Sequence, residues 1–252
     1  MMAGHSKWAN IKHRKAAQDK KRGKQFAKLI RAIESAAREA SASDPSASPS
    51  LALAVQKARD ADVPKDNIER ACRRGAGEDD GGARYEAATY EGYAPGGVAV
   101  LVDVLTDNRN RAASDIRSLF TRAGGSLAEP GAVSFLFTRR GQVVIEGTPD
   151  EDDVLAAGLD AGLEDVEAGE DTTIAWCEPS AVPDLRAALE GAGLTVVGAE
   201  STMVPTVSVR IEDPAEAGRV LRLLDALEDN DDVQEVHANL DVDDAVLADV
   251  EL

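Results

Sequence analysis

Six cations, Lys20, Lys21, Arg22, Lys24, Lys28 and Arg31, fall within the twelve residues "KKRGKQFAKLIR". Ammonium and guanidinium groups so crowded suit the binding of a polyanion better than bond making or breaking. Asp19 is the only acid before residue 33, so the charges are not neutralised locally. On a helix, at about 100° per residue, Lys24, Lys28 and Arg31 stay within about 80° of Lys21. Phe26, Leu29, Ile30 and Ile33 centre about 130° away, so one face can pack while the other presents charge. Each phosphate met by such a cation releases condensed counterion, which makes binding tight and salt-dependent. A solvated surface face is the bland reading of the same residues. A membrane surface is another, weakened because the apolar residues are needed for packing. Gly23 within the pattern costs about 1 kcal/mol of helix stability.

Two further stretches carry the same chemistry. "GHSKWANIKHRK" places Lys7, Lys12, Arg14 and Lys15 beside Trp8 and His13. An aromatic among cations can stack on a base or a ribose, and it can equally pack an extended segment onto a core. In "TDNRNR" (106–111) a polar residue can cap a following helix, which sets Arg109 and Arg111 at a helix N-terminus, a place suited to anions. The competing reading pairs these arginines with nearby carboxylates.

Other reactive groups point nowhere in particular. No GxSxG, HExxH or Walker pattern is present, and the glycine-rich "GAGEDDGG" has no strand before it. The expectation is therefore a chain that is not an enzyme and carries no cofactor. The acidic runs "DEDD" (150–153) and "EDNDD" (228–232) fit no EF-hand loop and read as solvated turns. His5, His13 and His237 read as structural or exposed, with no metal assigned. Cys72 and Cys177 are far apart and read as reduced, packed thiols of a cytoplasmic protein. The longest apolar run, "GVAVLVDVL", is too short to span a bilayer.

The elements that must position these groups change character along the chain. Residues 1–77 carry 17 Lys and Arg against 8 Asp and Glu, and the remaining 175 carry 11 against 38. All nine lysines lie at or before Lys65. A basic arm is thus joined to a body that repels polyanions. In the basic part the spacing predicts three helices: about 15–40 with Phe26, Leu29, Ile30, Ile33, Ala36 and Ala37 inward; a short one behind Pro49; and one from Pro64 to Gly75. The Ser/Pro stretch 41–50 reads as a flexible loop and 75–83 as a linker.

Beyond the linker the period becomes that of strands. Two strands flank the Pro-Gly-Gly at 95–97, the second buried on both faces, and a helix capped by Gly124 follows. "VSFLFTRRGQVVIEG" reads as two strands joined through Arg140 and Gly141. Then come a helix (150–161), the strand "TTIAWCE", a helix (180–192) and the strand "LTVVGAE". The last elements are a strand (204–211), a helix (214–227) and a strand (233–237). The fold class expected is α+β and multidomain: an N-terminal three-helix bundle (1–77) and two ferredoxin-like domains. One of these, 134–203, is inserted in the other, made of 83–133 and 204–240.

"MAGHSKWANIKHRKAAQDKKRGKQFAKLIR", "VPKDNIERA", "YEGYAPGGVAV" and "LTDNRNRAASDIR" together resemble the YebC family, which includes PmpR-type regulators and a mitochondrial translational activator. The resemblance covers nearly the whole chain. It implies three domains around a cleft and a regulator of gene expression, most often labelled a DNA-binding transcriptional regulator. Other members act in translation on the ribosome, relieving difficult stretches such as proline runs, so ribosomal RNA is the alternative partner. The residues expected to hold nucleic acid are those named in the three stretches above; no membrane and no small-molecule substrate is expected. The Ser/Pro loop and the acidity of the later half depart from the family pattern.

Overall fold

The computed structural model describes residues 22–79, 84–169 and 171–250, with the side chains of Arg22 and Asp244 left aside. The fold is α+β, with a helical region ahead of two four-stranded antiparallel sheets. The chain folds as two compact units. The first takes the described parts of Met1–Ala54, Pro64–Thr138 and Val204–Leu252; the second takes Val55–Val63 and Arg139–Met203.

In the first unit, α1 (Arg22–Ala40) buries Leu29, Ile33 and Ala37 along one stripe, as its spacing requires. The next helix, α2 (Pro49–Asp60), gives its first half to this unit and its second half to the other. Between α1 and α2, Asp44 accepts from the Ser46 amide and caps a single turn over Pro45–Ala47. α3 (Lys65–Ala76) buries Ile68, Ala71, Cys72 and Gly75. The expectation that Gly75 ends this helix is corrected: the cap is Gly77, in the left-handed conformation at φ 81°. Gly75 instead lets α3 touch α1, because a Cβ there would lie 2.4 Å from the Glu34 carbonyl oxygen and 2.7 Å from Ala37 Cβ. Beside this contact the buried Glu34 carboxylate pairs with Arg74. Burial pushes its pKa up, against the pull of Arg74, Arg38 and Arg31.

The unit's sheet has the order β3-β1-β2-β9, from β1 (Glu86–Tyr93), β2 (Ala99–Thr106), β3 (Ser126–Leu127) and β9 (Val233–Ala238). Val100, Val102 and Val104 of β2 pack with Ile116 and Phe120 of α4 (Arg109–Arg122) and with Val220, Leu224 and Leu227 of α7 (Pro214–Glu228). On β1, the buried Glu91 accepts from the amides of Gly131, Val133 and Ser134 at 2.7, 2.7 and 2.9 Å. Burial opposes its charge, but these backbone donors outweigh burial and hold the carboxyl below the usual range.

The second unit's sheet has the order β5-β6-β4-β7. Its strands are β4 (Phe137–Glu146), β5 (Leu163–Ala168), β6 (Thr172–Cys177) and β7 (Val196–Pro205), with α5 (Glu151–Gly158) and α6 (Val182–Gly191) in the connections. That order is the split β-α-β arrangement, in which each helix links strands separated by a third. Trp176 is fully buried and donates from Nε1 to Glu167 at 3.2 Å, with the Arg140 guanidinium 5.2 Å over its ring. In the same unit Arg186 makes two hydrogen bonds to Asp60, at 2.6 and 2.9 Å.

Two strand boundaries differ from the sequence reading, and β5 occupies residues that reading left unassigned. Residues 137–146 form one continuous strand, with no turn at Arg140 and Gly141. A Cβ at Gly141 would lie 2.5 Å from Val182 and 2.7 Å from Cys177 Sγ, so this glycine makes room for a packed neighbour. The expected strand 204–211 is divided. Its first residues end β7; only β8 (Val209–Arg210) pairs further, parallel to β10 (Leu240–Asp241) and outside the main sheet. Pro205 lacks an amide, and the Thr206 amide turns to the Leu136 carbonyl instead. The last described helix is α8 (Asp244–Ala248).

Candidate nucleic-acid interface

α7 ends without a cation of its own in the last turn, which leaves its terminal carbonyls and the negative end of its dipole uncompensated by local sequence. The compensation comes from α1. Lys24 donates to the Asp229 carbonyl at 3.1 Å, Lys28 to the Glu228 carbonyl, and Arg31 to the Asp231 carbonyl at 2.7 Å. Three cations at spacings of four and three residues thus meet three carbonyls gathered within residues 228–231. The turn "EDNDD", read from sequence as solvated, is corrected: it is the seat of the basic helix. Lysine and arginine reach these carbonyls because the apolar stripe of α1 fixes which way the charged stripe faces.

Arg31 also bonds the Asp232 carboxylate, Oδ1 lying 3.2 Å from Nη1. The other carboxylate oxygen accepts from Arg111 at 2.8 Å and from the Thr106 hydroxyl at 3.0 Å. Asp232 is buried, so one largely desolvated carboxylate joins two more exposed guanidiniums and a hydroxyl. Arg111 is held a second time, by Asp107 at 2.8 Å. The hydrogen bonds it donates to these two carboxylates push its pKa further up, Asp232 contributing most. Asn108 is the N-cap of α4, accepting from the Arg111 amide at 3.1 Å. The junction opens on a pocket of about 330 Å³ whose walls include Tyr85, Asp107, Asp115 and Asp231. Tyr85 carries the Arg31 guanidinium 5.6 Å over its ring.

Of the residues singled out by sequence, Lys24, Lys28, Arg31 and Arg111 are therefore brought together. They meet acceptors of the chain itself, which corrects the picture of an outward row of free cations. Arg109 is the first residue of α4 and exposed; it stands apart from the Asp232 junction. Lys7, Trp8, Lys12, His13, Arg14, Lys15, Lys20 and Lys21 lie outside the described residues, as does the Arg22 side chain. Sequence reasoning passed over Asp232 and Tyr85 and read Thr106 only as a candidate helix cap. The acidic run around Asp232 was visible in advance, and nothing local says that its arginine partners stand 121 and 201 residues away.

His237, expected without a partner, is buried between Asp103 and Glu235, at 3.4 and 3.6 Å from Nε2. Glu235 and His237 alternate onto one face of β9, and Asp103 is the cross-strand partner of Glu235. The Thr89 hydroxyl donates to the other oxygen of Asp103 at 2.7 Å. The three donor atoms lie within 4.8 Å of one another, a separation that suits either a clasped imidazole or a divalent cation. In "DEDD", Asp150 caps α5 by accepting from the Asp152 amide, which accounts for that run as a helix start. Cys72 and Cys177 are both buried thiols. Among the described residues, no helix is long and apolar enough to cross a membrane.

Fold and junction together define a class: an α+β protein whose basic helical segment gathers oxygen acceptors along one face. Two family models match most of the chain. The model described as the TACO1/YebC protein N-terminal domain matches residues 6–78, and the TACO1/YebC second and third domain matches 85–240. The chain belongs to the TACO1/YebC family. It is 56% identical to a Beutenbergia cavernae protein, over 98% of both chains, and 53% identical to one of Mycobacterium tuberculosis, over 98% of both. Each of these relatives bears the name probable transcriptional regulatory protein. A crystal structure of a conserved hypothetical protein from Aquifex aeolicus superposes with a TM-score of 0.84 at 43% identity, covering 94% of this chain and 97% of that one.

Proposed function

We propose that this chain is a non-enzymatic regulator of gene expression that grips nucleic acid through its basic N-terminal segment. The observation that carries the reading is the convergence of Lys24, Lys28, Arg31 and Arg111 on a row of oxygen acceptors. Cations so spaced and aimed suit successive phosphates of a backbone, which need charge and position and no base reading. The relatives' name favours DNA and transcription. Ribosomal RNA, with a role in translation, is the second reading. It is favoured by the make-up of the cluster: its cations are of phosphate-binding type, and Asn230 and Asn108 beside them are engaged with the main-chain amides of Asp232 and Arg111. The many carboxylates of the later half would turn a polyanion away from every other surface.

The test is in-cell ultraviolet cross-linking of the tagged protein, with sequencing of the recovered RNA and DNA. It is repeated with Lys21, Lys24 and Lys28 all changed to Gln. Gln is preferred to Glu because Lys24 and Lys28 sit against carbonyl oxygens, where a carboxylate would be repelled. Discrete chromosomal sites lost in the variant support transcriptional regulation. Ribosomal RNA contacts in one region, also lost, support translation. Recovery of neither, or recovery unchanged by the variant, refutes the assignment of this helix.

A further inference from the structure

The Asp232 junction has the donor set of a phosphate site. Two guanidiniums and a hydroxyl converge on two oxygens of one anion, at 3.2, 2.8 and 3.0 Å. Planar guanidiniums are suited to tetrahedral phosphate as well as to planar carboxylate. The site stands beside the N-terminus of α4, a helix of 14 residues, whose dipole favours negative charge. It is not sealed: Arg111 is about half exposed, at 48%, and the pocket beside it reaches solvent. We propose that this is a phosphate-binding site closed by the chain's own carboxylate. A backbone phosphate of nucleic acid takes the place of Asp232 between Arg31 and Arg111, and Lys24 and Lys28 exchange the carbonyls of α7 for the adjoining phosphates.

Three features make the exchange favourable. Lys24 donates to a neutral carbonyl, and a phosphate oxygen is charged, so the exchange turns that hydrogen bond into an ion pair as well. The turn need not unfold, because the Asp232 main chain has its own anchors. Its carbonyl accepts from the Leu105 amide at 2.8 Å, and its amide donates to Asn230 at 2.9 Å. Only side chains swing. Finally, the closed state sets a threshold: an isolated anion must displace a carboxylate held at very high effective concentration, whereas a polymer recovers that cost over several phosphates. The device thus discriminates against free phosphate and short nucleotides, and against weak non-specific contact.

The proposal rests on the nucleic-acid reading, and its test separates the two. Asp232→Asn is measured against the unaltered protein with two probes, sodium tripolyphosphate by calorimetry and a 20-nucleotide single-stranded RNA with its duplex DNA counterpart by anisotropy. Removing the competing carboxylate is expected to tighten tripolyphosphate about tenfold and nucleic acid by at least about fivefold, in proportion to one charge-assisted competitor lost. Arg111→Lys added to Asp232→Asn is expected to reverse most of the gain. Tighter tripolyphosphate with no binding of either nucleic acid upholds the phosphate site and overturns the nucleic-acid reading. Nucleic-acid binding that Asp232→Asn leaves equal or weaker overturns the closed site and spares that reading. Should the variant fail to fold, the unaltered protein still decides: tripolyphosphate is expected to shift the Nε–Hε resonances of both Arg31 and Arg111. If neither moves at saturation, the proposal falls.

Discussion

Single residues in this chain do work that their types alone conceal. Glu91 is an acid in a strand, and its meaning is the three amides it accepts. Its folded pKa lies below the unfolded value of about 4.3. The stability it contributes is therefore present above that value and lost as pH falls through the folded one. Glu91→Gln is expected to cost about 1–3 kcal/mol at pH 7, with the variant and parent denaturation curves converging below the unfolded pKa; urea titrations at pH 7 and pH 3 check this. Gly75 is a contact residue. Gly75→Ala forces a methyl onto the Glu34 carbonyl and is expected to destabilise by about 1–3 kcal/mol, whereas Gly191→Ala, with open space around it, serves as the control. Burial, with Glu164 and Glu178 nearby, pushes the Cys177 thiol up to about 11, against the pull of Arg140. The folded protein at pH 8 is expected to leave Cys177 unmodified by iodoacetamide until denaturant opens the second unit.

At the scale of elements, the largest gap between sequence and structure concerns α1 and the end of α7. The stripe of Leu29, Ile33 and Ala37 was readable from spacing, because a helix repeats every 3.6 residues wherever it is placed. What the opposite stripe meets was not readable, since the acceptors are main-chain oxygens, which every residue possesses. β4 shows the same limit. Gly141 reads as a turn by type, and only the packing of Val182 and Cys177 against it reveals a strand position. Lys24 and Lys28 both changed to Gln are expected to lower the melting temperature only slightly, each exposed or half-exposed contact contributing at most about 1 kcal/mol. The same variant is expected to lose most of its nucleic-acid affinity. A large loss of stability with unchanged affinity would make the contact purely architectural.

Over the whole molecule, the charge division governs behaviour in solution. With a net charge of −18 overall and 11 basic against 38 acidic residues beyond residue 77, most of the surface repels polyanions, so binding is expected to be confined and steeply salt-dependent. Log affinity plotted against log salt should give a slope of about −3 or steeper, for four or more neutralised phosphates on duplex or single strand. A flat slope would point to a partner other than nucleic acid. Within the second unit, Asp60 and Arg186 join a helix that precedes the first sheet to one that follows by 126 residues. Asp60→Asn is expected to weaken that unit by about 1–3 kcal/mol, seen as earlier amide exchange in 139–203 with little change in β2.

The sequence by itself determined the α+β class, the apolar faces of the helices, the buried second strand of the first sheet and the polarity of charge along the chain. These follow from periodicity and composition, which are local and survive any rearrangement of the parts. Tertiary structure alone decided that Asp232 sits between Arg31 and Arg111, that His237 is clasped by Asp103 and Glu235, and that Gly75 and Gly141 are packing positions. Each of these joins groups distant in sequence or depends on what lies opposite a missing Cβ. Such contacts are set by how sheets and helices register against one another in three dimensions.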